Sequence, residues 1–181
     1  MIRPVCPYPG IREVPKMKIR TRRLASGFSL IELLVVIAII LIISAIAIPR
    51  LLRSRMLANE SSAVASLRTI CTVEVTYQST YQVGYAPSLA ALGPQAPGVP
   101  PSAARASLID VVLSGGTKSG YVFTYNPVDS NGDGQMDTFT ITAAPFVPGQ
   151  TGDSYFFVDL SNVIRYNVGA PATAASSPIP K

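Results

Sequence analysis

The sequence predicts an α+β chain, with one long amino-terminal spine helix packed on a small antiparallel β-sheet head. Three observations predict it. Sixteen residues, Leu33 to Ile48, carry no charge and a single hydroxyl. Beyond Pro49, apolar or small residues recur at helical spacing. In the last third of the chain, short runs alternate apolar and polar residues between turn-forming clusters.

The 181 residues give room for one modest domain beside an anchor. The net charge of +5 is unevenly spread: residues 1–27 carry +6 and residues 28–181 carry −1. The basic stretch reads as a leader on the cytoplasmic flank of a membrane segment. The remainder lacks the basic stripe that a dedicated nucleic-acid site needs. Histidine is absent, which excludes a Ser-His-Asp nucleophile and histidine-based acid–base or metal chemistry. Asp110, Asp153 and Asp159 read as turn or capping residues, so no enzyme is expected. Cys6 lies in the leader and Cys71 in the predicted helix. They form no disulfide framework, and Cys71 reads as a small buried residue.

The first element is the apolar segment. Phe28 to Ile48 is 21 residues, about 31 Å as helix, one hydrocarbon thickness. A secretory signal peptide carries its cleavage site after the apolar core. Here the small residue, Gly27, precedes it. Cutting there retains the membrane segment and frees Phe28 as the new amino terminus. Glu32 stands at the edge of the segment, where a carboxylate is expensive in lipid without a partner. Snorkelling to the interface competes with pairing as its explanation. Pairing with the amine of Phe28 in a neighbouring subunit would set the register of packed helices. Pro49 closes the apolar run, and a break around Pro49 to Ser54 is expected.

The run Gly27-Phe28-Ser29-Leu30-Ile31-Glu32-Leu33-Leu34-Val35-Val36-Ile37-Ala38-Ile39, continuing to Ile48-Pro49, resembles the amino-terminal signature of type IV pilins and type II secretion pseudopilins. The likeness covers roughly residues 22–80. It implies that a prepilin peptidase cuts after Gly27 and methylates the amine of Phe28. It implies that Phe28, Glu32 and Pro49 serve assembly. The partners implied are copies of the chain and related pilins, an inner-membrane platform protein and a cytoplasmic assembly ATPase. The head would lie outside the inner membrane and the amino terminus in the cytoplasm. The leader is long for the family; a start at Met17 would leave eleven residues with four basic ones. A pilin-like fold is implied, with no required cofactor. Two functions compete: a subunit of a periplasmic secretion pseudopilus, or the major subunit of a long surface pilus for adhesion, twitching or DNA uptake. The missing carboxy-terminal cysteine pair tilts toward the pseudopilin. A minor pilin acting as a tip binding module is a third reading.

The chain after Pro49 follows in order. Residues 50–78 form an amphipathic continuation, so the helix runs from about 29 to about 78. Its apolar stripe is Leu52, Met56, Ala63, Leu67, Ile70 and Cys71, with Glu74 and Tyr77 following. Arg53, Asn59, Glu60 and Arg68 form a polar face toward solvent or neighbouring subunits. Residues 79–168 form the head. Its first part, to about residue 107, is a turn-rich loop with a helical turn at Ser88–Leu92. A short helix is expected at Ser107–Leu113, and strands at Tyr121–Asn126, Thr138–Ala143, Tyr155–Val158 and Asn162–Asn167. Asp159-Leu160-Ser161-Asn162 is a hairpin turn. Tyr77, Tyr81 and Tyr85 read as core. Residues 169–181, rich in Ala, Ser, Thr and Pro, read as a mobile tail.

In the loop Asp129–Asp137, oxygens of Asp129, Asn131, Asp133, Gln135 and Asp137 alternate around Gly132 and Gly134. That spacing suits a hard cation such as calcium. A solvated hairpin loop competes equally, because the closing bidentate glutamate is replaced by Thr140 and helices do not flank the loop.

Overall fold

The structure, a computed structural model, describes residues 27–180. The leader residues 1–26, with Cys6 and Met17, lie outside the described residues. Helix α1 runs Leu30–Tyr81, with Pro49 inside it. Proline has no N–H, so the Ala45 carbonyl loses its helical partner. The helix nevertheless continues through Pro49–Ser54, where a break is expected from sequence. The chain divides into two units, at Leu41 and Ile42. In the first, Leu30–Leu41 is helical and its side chains are exposed.

In the second unit, α1 buries Ala63, Ser66, Leu67, Ile70, Cys71, Glu74 and Tyr77. Steps of three and four residues keep these on one face. Leu52, placed on that stripe by sequence, is exposed, because the head begins to cover the helix only further along.

The head is a meander of six antiparallel strands in sequence order. They are β1 (Thr117–Lys118), β2 (Tyr121–Val128), β3 (Thr138–Pro145), β4 (Ser154–Val158), β5 (Arg165–Val168) and β6 (Ser177–Pro178). Alternation sets the buried face: Tyr121 and Phe123 on β2, Phe139, Ile141 and Ala143 on β3, Phe156 and Val158 on β4. These pack with Leu67, Ile70 and Tyr77 in one core. Two short helices complete it. The first, α2 (Leu89–Leu92), is capped by Ser88; α3 (Val111–Ser114) is capped by Asp110, whose Oδ1 accepts from the Leu113 amide at 2.7 Å. The Asp110 cap moves α3 toward the carboxy terminus of the expected Ser107–Leu113.

Three tyrosine hydroxyls tie main-chain carbonyls to this core. Tyr77 donates to the Ala103 carbonyl at 2.7 Å, Tyr121 to Ser154 at 2.9 Å and Tyr125 to Ala86 at 2.9 Å. Tyr81 and Tyr85 are half-buried against the core. At Gly84, φ is +78° and a Cβ would lie 2.6 Å from the Met136 carbonyl oxygen, so only glycine fits this pairing.

The expected mobile tail is instead folded up to residue 180. Its β6 pairs with β5, Ala172 is buried, and the Ile179 amide donates to the Ile164 carbonyl at 2.9 Å. An edge strand requires main-chain donors and acceptors, which a composition of small residues still supplies.

Candidate functional site

The amino-terminal segment concentrates exposed apolar surface. Phe28 is 76% exposed, and large side chains from Leu30 to Ile48 are exposed throughout. Leu30–Tyr81 is the one described helix long and apolar enough to cross a membrane, and its most apolar stretch is not buried among the described residues. From Leu30 to Ile48 the rise is about 28 Å.

The Leu33 amide donates to the Ser29 carbonyl at 3.2 Å, which closes the first turn of α1. Glu32 lies in that turn and is exposed. There its negative charge meets the positive end of the helix dipole, a stabilisation of about 0.3–1 kcal/mol. Among the described residues the one ion pair is Lys118–Asp110, at 2.8 Å, so Glu32 has no ion-pair partner among them. Gly27 precedes the helix; a Cβ added there meets nothing within 4 Å.

Two polar residues missed by sequence reasoning lock α1 to the head. Asn59 Nδ2 donates to the Thr151 carbonyl at 2.9 Å. Glu60 Oε1 accepts from the amides of Asp153 (2.9 Å) and Ser154 (3.1 Å), and its Oε2 accepts from Ser154 Oγ at 3.0 Å. Both had been expected on a face toward solvent or neighbouring subunits. Nothing in the local pattern signals contacts more than ninety residues away.

Glu74 is completely buried. Its Oε2 accepts from the Ala86 amide at 3.0 Å, and its Oε1 has no hydrogen-bond partner. Burial raises its pKa; the Ala86 amide and the Tyr125 hydroxyl pull the other way with less effect. The sequence signal was present, a lone acid within an apolar stripe. Nearby Cys71, also buried, has its thiol pushed up to about 11, chiefly by burial.

The Asp129–Asp137 loop is held by its own amides. Asp129 Oδ1 accepts from Asn131 and Gly132, and Oδ2 accepts from Gly134 at 2.9 Å. These bonds, the Gly134 amide first, hold the Asp129 carboxyl below the usual range. Asp133 accepts from the Gln135 amide and from Asn131 Nδ2, and Asp137 from the Ser130 amide. Among the described residues no group of three or more His, Cys, Asp or Glu is placed to hold a metal. Of the five expected ligands three are acids, and most oxygens of the five face neighbouring donors within the loop.

The prokaryotic N-terminal methylation motif matches residues 22–48. A type IV wide pilus major component, PilA4 of Thermus thermophilus, is 48% identical over 61 residues. That stretch is 34% of this chain and 44% of the relative, so the match spans less than half of the relative's length. No solved structure matches the chain. The motif, the exposed apolar helix and the sheeted head agree with one another: the chain carries the amino-terminal signature of type IV pilins and pseudopilins on a pilin-like α+β fold.

Proposed function

We propose that the chain is cut after Gly27, methylated on the amine of Phe28, and polymerised through α1 into a type IV pilus-like filament. The observation that carries this reading is Glu32: an acid without an ion-pair partner among the described residues, on an exposed apolar helix, inside a matched methylation motif. In a bundle of such helices the acid is withdrawn from water. An unpaired charge there is costly, and the freed amine of Phe28 on a neighbouring copy answers it. The pair contributes register more than affinity. Gly27 fits the cleavage position, since among the described residues nothing lies within 4 Å of a Cβ added there. The demand for a small residue then comes from the peptidase.

The precursor would sit in the inner membrane with its basic leader in the cytoplasm. Its partners would be the prepilin peptidase, a platform protein, an assembly ATPase and related pilins. Similarity to a major component of a wide pilus favours a surface filament. One observation favours a secretion pseudopilus instead: the only cysteines are Cys6 and Cys71, so no pair closes the carboxy-terminal region.

The test uses Glu32→Gln and Gly27→Leu in the producing cell. The first should insert and mature but give little sheared polymer. The second should accumulate as uncut precursor. Normal polymer from Glu32→Gln would sink the register role, and normal maturation of Gly27→Leu would sink the cleavage position.

A further inference from the structure

Charge is unevenly spread along the second unit, with Glu60 and Asp153 as the acids nearest its basic end. Arg50, Arg53 and Arg55 are exposed and follow the apolar segment directly. At about 100° per residue they reach different sides of α1 and form a collar. No Asp or Glu occurs between Glu32 and Glu60, and none of the three arginines has an ion-pair partner among the described residues. The collar borders a groove of about 310 Å³ lined by Leu52, Arg55, Met56 and Asn59 on α1 and by Gly149 and Gln150 on the head. Phe146, 68% exposed, begins the same head loop.

The opposite charge lies at the other end of the head. Asp129, Asp133 and Asp137 sit in the β2–β3 loop, and no Lys or Arg occurs between Lys118 and Arg165. The loop is preformed by the amide bonds to Asp129. Asn59 and Glu60 fasten the head loop beside the collar. Glu74, through Ala86, and Tyr85, whose amide donates to the Met136 carbonyl at 2.9 Å, fasten the acidic end. From Glu60 to Glu74 the helix advances about 21 Å.

We propose that the acidic 129–137 loop of one copy docks on the arginine collar and groove of a second copy, head to tail. An acidic loop meets a basic collar, with Arg55 at the groove itself; neither set has an ion-pair partner among the described residues, and both belong to the same chain. Because the two patches differ, each docked copy leaves one of each free, and the contact propagates instead of closing. Like-charge approaches, collar to collar or loop to loop, are disfavoured, which fixes polarity. The inference rests on the self-assembly reading above and adds which head surfaces meet.

The test expresses the full chain with Asp133→Lys, with Arg53→Glu and Arg55→Glu together, and with all three changes. Asp129 is left intact because it holds the loop. Either reversal should lower sheared polymer by at least about fivefold, and the combination should return it to within about twofold of the unaltered chain. In parallel, Arg55→Cys with Asp133→Cys, in a chain carrying Cys6→Ser and Cys71→Ser, should give an oxidised ladder of multimers that neither new cysteine gives alone. Reversals that fail to rescue each other, or a missing ladder beside normal polymer, would overturn this contact while leaving self-assembly intact. Loss with the arginine changes only, indifferent to Asp133→Lys, would assign the collar to lipid phosphates and also overturn it. No polymer from the unaltered chain would instead bring down the self-assembly reading beneath it.

Discussion

Glu74 makes the fold sensitive to proton concentration in a direction opposite to most carboxylates. It is completely buried, one oxygen accepts the Ala86 amide, and the other has no partner. Its pKa in the folded chain is raised above the ordinary 4.5. The folded state therefore holds a proton that the unfolded chain releases. Its contribution is fully present below the ordinary value and is lost as pH rises through the folded one. Between the two, stability should fall by about 1.4 kcal/mol per pH unit. The carboxyls of Asp110, Asp129 and Asp159 are lowered from 3.8, by the Lys118 ammonium, the Gly134 amide and the Ser161 hydroxyl respectively. Their contributions are lost as pH falls, below the window in which Glu74 acts. Glu74→Gln keeps an acceptor for the Ala86 amide and removes the titration. At pH 4 it should match the unaltered chain to within about 1 kcal/mol. Glu74→Ala orphans that amide and leaves a cavity, at about 2–4 kcal/mol. The assay is urea unfolding of the full chain in detergent, followed by aromatic fluorescence from pH 4 to 8. Parallel pH profiles for the unaltered chain and Glu74→Gln would refute the reasoning.

Other consequences are equally direct. Gly84→Ala should cost about 2–4 kcal/mol, because it forces a side chain into positive φ and against the Met136 carbonyl; the unfolding midpoint reads it. Glu60→Ala removes the acceptor of three hydrogen bonds and should cost about 1–3 kcal/mol, with amide exchange accelerating at Asp153 and Ser154. Asp129→Ala should speed exchange of the Gly132 and Gly134 amides while leaving that of the Ile141 amide in β3 unchanged. Truncation before Ser177 should expose the β5 edge, seen as faster exchange at Tyr166.

Periodicity made much of this architecture legible. Ala63, Leu67, Ile70 and Cys71 announce a buried helical face, and the alternation Tyr121, Phe123 and Phe139, Ile141 announces sheet. The Asp159–Asn162 turn was readable from residue type. Asn162 takes a positive φ of 56°, and its amide donates to the Asp159 carbonyl at 2.9 Å. What escaped the sequence depends on partners far along the chain. Asn59 and Glu60 look like solvent-facing residues until the β3–β4 loop returns to meet them. The tail looks mobile because it lacks bulk, yet β6 is held through its backbone and through the Arg165 guanidinium donating to the Ser176 carbonyl at 3.1 Å. At the amino terminus, Gly27, Phe28 and Glu32 stood out by position and chemistry. The roles proposed for them involve a peptidase and neighbouring copies, which a single folded chain does not contain.

Mass spectrometry of the amino-terminal peptide, on membrane and sheared surface fractions from the producing cell, tests the central claim most directly. A peptide beginning at N-methylated Phe28 in both fractions is the predicted result. A chain that keeps its leader in the polymer, or one cut beyond Ile48, would contradict it.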